Sequence, residues 1–272
     1  MIISVSTRQA PDPAVLVERL RQSRVQHGVG AARQTLITLA QRFPDDASLA
    51  ELLAWHDERW WLPVRFGGIT LTRQTAEDFG FVWSIVLDQP FSSKFMTVPE
   101  GITPRDVLQD LTTHEYALIP ERGAIHWVVG NSSGPIGLAM LVNINFQHRV
   151  AELRLGIMPG NRHPFAALDA VLAGLLFAFN SLGMNKVQAR IASTNRRAIT
   201  CCEKAGFVRE AVMRQEVWSV TQQSYEDIVQ LSALQPELAV NPLYRYRMKS
   251  RWDPWLLERL EWPRRPLERF IS

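Results

Sequence analysis

The sequence predicts an α+β fold of mixed α/β character, with a central mixed, mostly antiparallel sheet flanked by helices and preceded by a helical cap. Three observations support this fold class. Residues 12–57 carry apolar residues at helical spacing, and from residue 69 the pattern changes to strand-like alternation. Beyond residue 150, strand-like and helical segments alternate, and capping residues mark the helix ends. Two alternating segments, 208–218 and 225–234, then close the sheet.

The composition is that of a globular protein. The chain has 272 residues, 46% of them apolar, and a formal net charge of +3, which suits a protein with a sizeable core. We interpret a denser basic run at 245–251 as a solvated face, with contact to an acidic ligand as the alternative. There is no long basic tract, so we expect no nucleic-acid partner.

Signals for a membrane segment, a disulfide and a metal site are missing from the sequence. The N-terminus lacks the charged leader and apolar stretch of a signal peptide. The most apolar run, residues 165–179, is too short to span a bilayer and contains Asp169. Cys201 and Cys202 are neighbours that normal disulfide geometry cannot join, and the six histidines show no metal-ligand spacing. We therefore expect a cytoplasmic protein with neither a membrane partner nor a metal.

The N-terminal part, residues 1–62, is predicted to form the helical cap. Its two or three amphipathic helices, with a Phe-Pro-Asp break at 43–45 and Asp46 or Ser48 as the next cap, are similar to a tetratricopeptide helix pair. A single such pair is weak support for a repeat array, because solenoids need several units for stability. Residues 63–68 are expected to be a hinge or linker.

The next elements follow from local spacing. Residues 69–73 alternate as a strand, and Thr75 and Thr103 each begin a helix with an aspartate three residues later, a capping pattern. Residues 125–129 and 136–146 are predicted strands joined by the Asn-Ser-Ser-Gly turn at 131–134.

The following elements alternate between strand and helix. A strand at 152–157 precedes a helix at 164–182, which Gly183 ends. A second strand, 187–192, precedes a helix at 195–205. Residues 236–272 form a C-terminal extension, in which 252–262 have the pattern of a short amphipathic helix.

Four short motifs in fixed order carry a resemblance to a known family. They are Asn-Ile-Asn at 143–145, Glu-Leu at 152–153, the segment 195–207 with Asn-Arg-Arg-Ala-Ile and Glu-Lys-Ala-Gly-Phe, and Tyr-Glu-Asp at 225–227. Each motif alone is weak, but their order resembles the GNAT superfamily of acyl-CoA-dependent N-acetyltransferases, in the branch with ribosomal-protein alanine, spermidine and amino-sugar acetyltransferases. The resemblance implies a GNAT domain over residues 63–235.

The resemblance also implies a binding site for acyl-CoA. The family places a glycine-rich loop before a helix, so that backbone amides at the helix N-terminus bind the pyrophosphate. Here this loop reads Arg-His-Pro-Phe-Ala-Ala, and both glycines are replaced, which indicates a reshaped site or a lost one. The cofactor-binding residues that the resemblance implies are Ile157, Met158, Arg162, His163, Phe165, Ala166, Ala167 and Asn195. An amide near Ile157 or Met158 would hold the oxyanion.

The same resemblance suggests three catalytic candidates. Glu152 would relay a proton from the amine, and the alternative is an ion pair with Arg149 or Arg154. Asn195 would hold substrate or water, or act as a plain helix cap. Cys202 stands where many relatives have the tyrosine that protonates the thiolate, and a buried structural cysteine is the alternative.

We therefore expect an enzyme that transfers acetyl, or another acyl group, from acyl-CoA to a primary amine of a small molecule such as an amino-sugar nucleotide. Transfer to a protein N-terminus or lysine, an acyl-carrier protein as donor, and a non-catalytic scaffold are alternatives; a homodimer is also considered. A Phe165 side chain that fills the cleft would favour the scaffold. The aromatic residues expected near the acceptor, as wall or as core, are Trp83, Phe91, Phe95 and Trp127. His126 is interpreted as structural, with the acceptor cleft as the alternative.

Overall fold

The computed structural model describes residues 13–160, 164–219 and 222–242. Within them the chain forms one sheet of eight strands, in the order β1-β2-β3-β4-β5-β6-β8-β7. The strands are β1 (Val64–Phe66), β2 (Ile69–Arg73), β3 (Ile125–Asn131), β4 (Gly134–Asn145), β5 (Val150–Ile157), β6 (Lys186–Ala192), β7 (Val208–Ser219) and β8 (Ser224–Leu234). All neighbours pair antiparallel except β5 and β6, which are parallel. The predicted mixed, mostly antiparallel sheet is confirmed.

Helices cover both faces of the sheet. They are α1 (Pro13–His27), α2 (Val29–Arg42), α3 (Ala47–Trp55), α4 (Phe79–Leu87), α5 (Gln89–Ser92), α6 (Pro104–His114), α7 (Ile119–Arg122), α8 (Ala166–Leu176), α9 (Arg196–Lys204) and α10 (Gln235–Val240). Helix α8 is buried along almost its whole length in the main core, because its residues are nearly all apolar. Helices α4 and α6 pack on the opposite face, against Val128 and Leu138.

The capping residues read from the sequence have the predicted partners. The Asp106 carboxylate accepts a hydrogen bond from the Thr103 backbone N–H at 2.9 Å, and the Thr103 hydroxyl accepts one from the Asp106 N–H at 3.3 Å. Asp78 accepts from the Thr75 N–H at 2.9 Å at the turn that leads into α4. Each bond satisfies an N–H that has no partner inside its helix, so both boundaries follow from local sequence.

The interpretation of residues 63–68 as a hinge or linker is wrong. Val64 to Phe66 form strand β1, which pairs with β2 in a hairpin whose turn contains Gly67, a residue with a φ of 59°. The side chains of Val64 and Phe66 are buried in the main core. The short apolar alternation Val-Arg-Phe is a strand pattern, but the flanking proline and glycines favoured a linker.

The three N-terminal helices have an apolar cluster of their own. It consists of Leu16, Leu20, Ala32, Leu36, Leu39, Leu49 and Leu52. A tetratricopeptide origin for these helices stays a prediction. At the other end of the chain, α10 inserts Leu238 into the main core, while the amphipathic pattern at 252–262 lies outside the described residues. Of the described helices, none combines the length and the apolar character that a bilayer span requires.

A buried charged network joins the N-terminal helices to the sheet domain. Arg24, on α1, is 1% exposed, and its Nη2 donates to both carboxylate oxygens of Glu121 at 2.7 and 2.6 Å. Its Nε donates to the carbonyl of Tyr116, and its Nη1 lies 2.8 Å from Nε2 of His56. Nδ1 of His56 lies 2.6 Å from the carbonyl of Leu52, so Nδ1 carries the proton and Nε2 accepts from Arg24.

His56 makes the stability of this contact dependent on pH. Burial, first of all, lowers the pKa of His56 from 6.5 to about 4, and the charge of Arg24 adds to the effect. The folded protein therefore binds fewer protons than the unfolded chain between these two values. The stability from neutral His56 is present above pH 6.5 and is lost as the pH falls toward 4.

We expect the free energy of unfolding to fall as the pH is lowered from 6.5 toward 4. Protonation of His56 should account for up to about 3 kcal/mol of this loss. His56→Gln keeps an acceptor for Arg24 but cannot titrate, so its stability should depend less on pH. Denaturant unfolding at several pH values measures this, with His27→Gln on the exposed surface of α1 as control. An unchanged pH slope in His56→Gln would contradict the assignment. Half-buried His126, whose pKa desolvation lowers to about 3, leaves a residual pH slope in the variant.

Candidate active site

Strands β5 and β6 separate after a short paired stretch. Their parallel register contains only the pairs Val150–Lys186, Ala151–Val187 and Glu152–Gln188. Beyond Glu152, β5 continues along β4 and β6 continues along β8. The two strand ends therefore diverge within one sheet and leave a wedge-shaped opening between them.

A cleft of about 690 Å³ occupies this opening, which we call the donor cleft. One wall is the end of β5 from Leu153 to Gly160, and the other combines Ala189 and Ile191 of β6 with the start of α9. Pro164, Ala166 and Ala167, at the N-terminus of α8, line one part of it. The small alanines leave the backbone accessible, and the first amides of a helix have no partner within the helix. This end of the donor cleft therefore suits an anion.

Phe165 does not fill the donor cleft. Its side chain is 47% exposed and is not among the residues that line the cleft. The feature that would have favoured a scaffold is therefore not found. The expected contacts of Arg162 and His163 lie outside the described residues.

The amides of Ile157 and Met158 face opposite edges of β5. The Met158 N–H donates to the carbonyl of Ile136 at 2.8 Å and is committed to β4. Alternate residues of a strand direct their N–H groups to opposite edges, so the Ile157 N–H faces the side from which β6 has separated. Of the two amides proposed for the oxyanion, the geometry favours Ile157.

Phe95 packs closely on the β5 wall at Gly156. A β-carbon at Gly156 would lie 2.2 Å from Cε1 of the Phe95 ring, a distance that real structures do not tolerate. Gly156 is therefore required by the close approach of an aromatic ring, which holds the segment after α5 against the donor cleft.

Glu152 lies at the point where the strands separate, and its carboxylate is paired. Oε1 accepts from Nε of Arg154 at 2.7 Å, and Oε2 accepts from Nδ2 of Asn143 at 3.0 Å. A bulge in β4 between Val142 and Asn145, where Asn143 has a φ of 52°, places Asn143 near this carboxylate. Glu152 is 6% exposed and lines a second cleft. Its ion pair with Arg154 is present, and the pair with Arg149 is not among the described contacts.

The other two catalytic candidates also reach the donor cleft. The Asn195 side chain caps α9 by accepting from the Ala198 N–H at 3.3 Å, and the residue lines both clefts. Cys202 is 7% exposed and belongs to the main core. Burial raises the pKa of the Cys202 thiol to about 12 and that of Cys201 to about 11, so both thiols stay protonated near neutral pH.

The second cleft, of about 410 Å³, continues from the first and is called the acceptor cleft. Its lining includes Lys94, Phe95, Glu152, Arg154, Arg190, Thr194, Asn195, Trp218, Gln222 and Glu226. Lys94, Arg190 and Trp218 were not predicted, because they lie on a loop and on two strands that no local pattern brings together. Glu226 lies inside the Tyr-Glu-Asp motif, which could have indicated it.

Only part of the expected aromatic wall reaches either cleft. Phe91 and Phe95 line the donor cleft and stack edge to face at 5.3 Å between ring centroids. Trp127 is instead a buried core residue, and Trp83 packs with the α4 and α6 cluster. His126 lies apart from both clefts, 3.3 Å from Nη2 of Arg122, which agrees with a structural role.

Comparison with known proteins identifies the family. The model of the acetyltransferase (GNAT) domain matches residues 68–208, more than half of the chain. The chain belongs to the GNAT acetyltransferase family. The expectation of an N-acyltransferase is thus confirmed at the level of the family. A curated relative of this GNAT protein, the spermidine N(1)-acetyltransferase of Vibrio cholerae serotype O1, is 30% identical over 100 residues. These are 37% of the chain and 57% of that relative, so the match spans little more than half of its length.

Solved structures support the same fold. The Vibrio cholerae spermidine N-acetyltransferase in complex with CoA and spermine superposes with a TM-score of 0.56 at 24% identity, covering 63% of this GNAT protein and 98% of that chain. A dodecameric form of the same enzyme superposes with a TM-score of 0.55 at 23% identity, covering 64% of this GNAT protein and 98% of that chain. A probable acetyltransferase superposes with a TM-score of 0.56 at 18% identity, covering 65% of this GNAT protein and 98% of that chain. At these identities the likeness concerns the fold alone.

The packing of Phe95 on the β5 wall can be tested with one methyl group. Gly156→Ala should lower the free energy of unfolding by about 1–3 kcal/mol, because the added carbon overpacks against the ring. Phe95→Leu in the same chain should recover part of this loss, which a double-mutant cycle of denaturant unfolding measures. Gly80→Ala on α4 is the control, since its β-carbon meets nothing within 4 Å. An equal change in the free energy of unfolding for both glycine substitutions would contradict the close packing of Phe95 on Gly156.

Proposed function

We propose that this GNAT protein transfers an acetyl group, or another acyl group, from acyl-CoA to a primary amine of a small molecule. The observation that carries the proposal is the donor cleft between β5 and β6. It joins the N-terminal end of α8, the edge of β5 and the acceptor cleft in one continuous surface. A thioester donor with an anionic tail needs an anion site, an extended binding edge and a reaction centre in this order.

The residues present fit acyl-CoA. The amides of Ala166 and Ala167 and the positive end of the α8 dipole suit the pyrophosphate, although Pro164 supplies no donor. Arg197, an exposed cation in the lining, adds favourable charge on the opposite wall. Pantetheine would extend along β5, where the backbone groups of Leu155 and Ile157 face the gap left by β6. Contacts of Arg162 and His163 with the phosphates stay predictions.

The chemical step is direct transfer. The lone pair of the neutral amine attacks the thioester carbonyl carbon, and the developing oxyanion accepts a hydrogen bond from the Ile157 N–H. When the tetrahedral species collapses, the carbon–sulfur bond breaks and CoA leaves as a thiolate. No covalent enzyme intermediate is required, and both cysteines are protonated.

Two protons must move during the reaction. We assign the proton of the acceptor ammonium to Glu152, through water, because this carboxylate lies at the strand separation and lines the acceptor cleft. Burial makes the Cys202 thiol a weaker acid than an ordinary thiol, so we propose that Cys202 does not protonate the leaving group. CoA leaves as the thiolate, which takes up its proton from buffered solvent. Asn195 would hold substrate or water at the junction of the two clefts.

The identity of the acceptor is the finer part of the proposal. The spermidine N-acetyltransferases of Vibrio cholerae named above act on spermidine, and an amino-sugar nucleotide is the other small-molecule candidate, from the sequence. Transfer to a protein amine, an acyl-carrier protein as donor, and a homodimer stay predictions. The scaffold alternative has lost its expected support, because Phe165 leaves the donor cleft open.

Donor binding predicts a gain in stability. Acetyl-CoA at 100 times its Kd should stabilise the protein by about 2.7 kcal/mol, measured as a rise in Tm. Ala167→Glu should weaken acetyl-CoA binding roughly tenfold or more, because a carboxylate at the start of α8 repels the phosphates. The same charge favours the helix itself, so the unliganded variant should not be destabilised.

Ala167→Gln is the matched control, since it has the same size without the charge. Equal weakening by both variants would mean that only side-chain bulk matters at this position. If neither millimolar acetyl-CoA nor a longer acyl-CoA raises the Tm of the parent protein, the proposal of an acyl-CoA-dependent enzyme is overturned.

A proton relay through Glu152 predicts a kinetic defect that depends on pH. Glu152→Gln should lower turnover about 10²–10⁴-fold near neutral pH with little loss of acetyl-CoA affinity. The defect should shrink as the pH rises, because more acceptor amine is then already neutral. A pH–rate profile with a parallel Tm measurement checks this. A purely structural ion pair with Arg154 predicts instead a lower Tm with nearly unchanged turnover per folded molecule.

A further inference from the structure

The acceptor cleft carries charges of both signs, and their pairing decides which amine it can hold. Five charged side chains are in its lining: Lys94, Glu152, Arg154, Arg190 and Glu226. A polyamine requires several carboxylates without cations beside them, because each of its ammonium groups must be compensated when it leaves water. The lining contains more cations than carboxylates.

Three of these five charges, Glu152, Arg154 and Arg190, are already compensated. Glu152 accepts from Nε of Arg154 at 2.7 Å, within the lining itself. Nη2 of Arg190 lies 2.6 Å from Oε1 of Glu216, which precedes the lining residue Val217 on β7. An incoming ammonium would have to compete with a guanidinium for either carboxylate.

Lys94 and Glu226 are the remaining charges. Oε2 of Glu226 accepts a hydrogen bond from the hydroxyl of Thr194 at 2.6 Å, a neutral donor that leaves the negative charge in place. Lys94 is exposed, and among the described residues no carboxylate forms a salt bridge with it. Lys94 also lines the donor cleft, so this residue lies at the junction of the two clefts.

We propose that the acceptor is a primary amine that also carries an anionic group, a carboxylate or a phosphate, on the same molecule. Glu226 attracts the incoming ammonium into the acceptor cleft, and Lys94 binds the anionic group. The amine then gives its proton through water to Glu152, which lines the same cleft. A polycation would find one uncompensated carboxylate, Glu226, and the uncompensated ammonium of Lys94 in the same cleft, so the cleft selects against polyamines. This inference rests on the proposed acyl transfer and names the substrate class of that same site.

The test compares acceptors that differ only in the anionic group. With acetyl-CoA as donor, kcat/KM is measured for glucosamine 6-phosphate against glucosamine, for glycine against glycinamide, and for spermidine. We expect kcat/KM of the anionic member of at least one pair to exceed that of its partner without the anionic group, and that of spermidine, by about tenfold or more. The pair that shows the preference distinguishes phosphate from carboxylate.

Substitutions of Lys94 provide a second test. Lys94→Gln should lower the preference for the anionic member about 10–100-fold, and Lys94→Glu should reverse it toward spermidine. Arg65→Gln is the matched control, because it removes one exposed positive charge on β1, far across the sheet, and should leave the ratio unchanged.

Two failures are distinguishable. Faster turnover of spermidine than of every anionic amine, or an unchanged ratio in both Lys94 variants, overturns this inference while acyl transfer stands. If acetyl-CoA does not raise the Tm and no amine is acetylated, the proposed function fails and this inference fails with it.

Discussion

The separation of β5 from β6 is the constraint on which the candidate site depends. Parallel strands normally continue their hydrogen bonds along their length, but here pairing stops at Glu152 and Gln188. Each strand keeps its outer neighbour, β4 or β8, so the sheet survives although its centre opens. The inner edge of β5 is left with backbone groups that need partners, since unpaired polar groups are costly away from water. An extended, amide-containing ligand can supply those partners.

The surrounding structure supports this opening from both faces. Helix α8 packs so closely on β5 that a β-carbon at Gly174 would lie 2.9 Å from Cδ1 of Leu153. On the other face Phe95 packs against Gly156, where the absence of a side chain makes room for the ring. The buried Arg24 network is farther from the site and holds the N-terminal helices on the sheet domain. Its bidentate bond to Glu121 and the neutral His56 satisfy a guanidinium that would otherwise be expensive to bury.

Local elements were largely predictable from the sequence, and the clefts were predictable only through the resemblance. Capping at Thr103 and the glycine after the long helix depend on residues a few positions apart, and Thr103 begins α6 as predicted. The predicted long helix divides into α8, which ends at Leu176, and a π-helical segment, Phe177–Ser181, before Gly183 with a φ of 67°. The prediction of a linker at residues 63–68 was wrong because the proline and glycine signals outweighed a three-residue strand pattern. The strand is stabilised by burial of its side chains in the core. For Trp127 the sequence left the cleft wall and the core open, because strand alternation gives two faces but does not tell which face borders the site; the structure places it in the core.

By itself, the sequence determined the fold class, the order of the main strands and helices, and the motifs that agree with GNAT family membership, because these depend on periodicity and short spacings. The tertiary structure alone decided that Phe165 turns out of the donor cleft, that Met158 is committed to β4, and that Glu152 is paired with Arg154 and Asn143. It also decided that Lys94, Arg190 and Glu226 share one cleft. These residues are separated by up to 132 positions and come from a loop and two strands. Only the packing of the sheet and its register place such charges together, and no local pattern encodes that register.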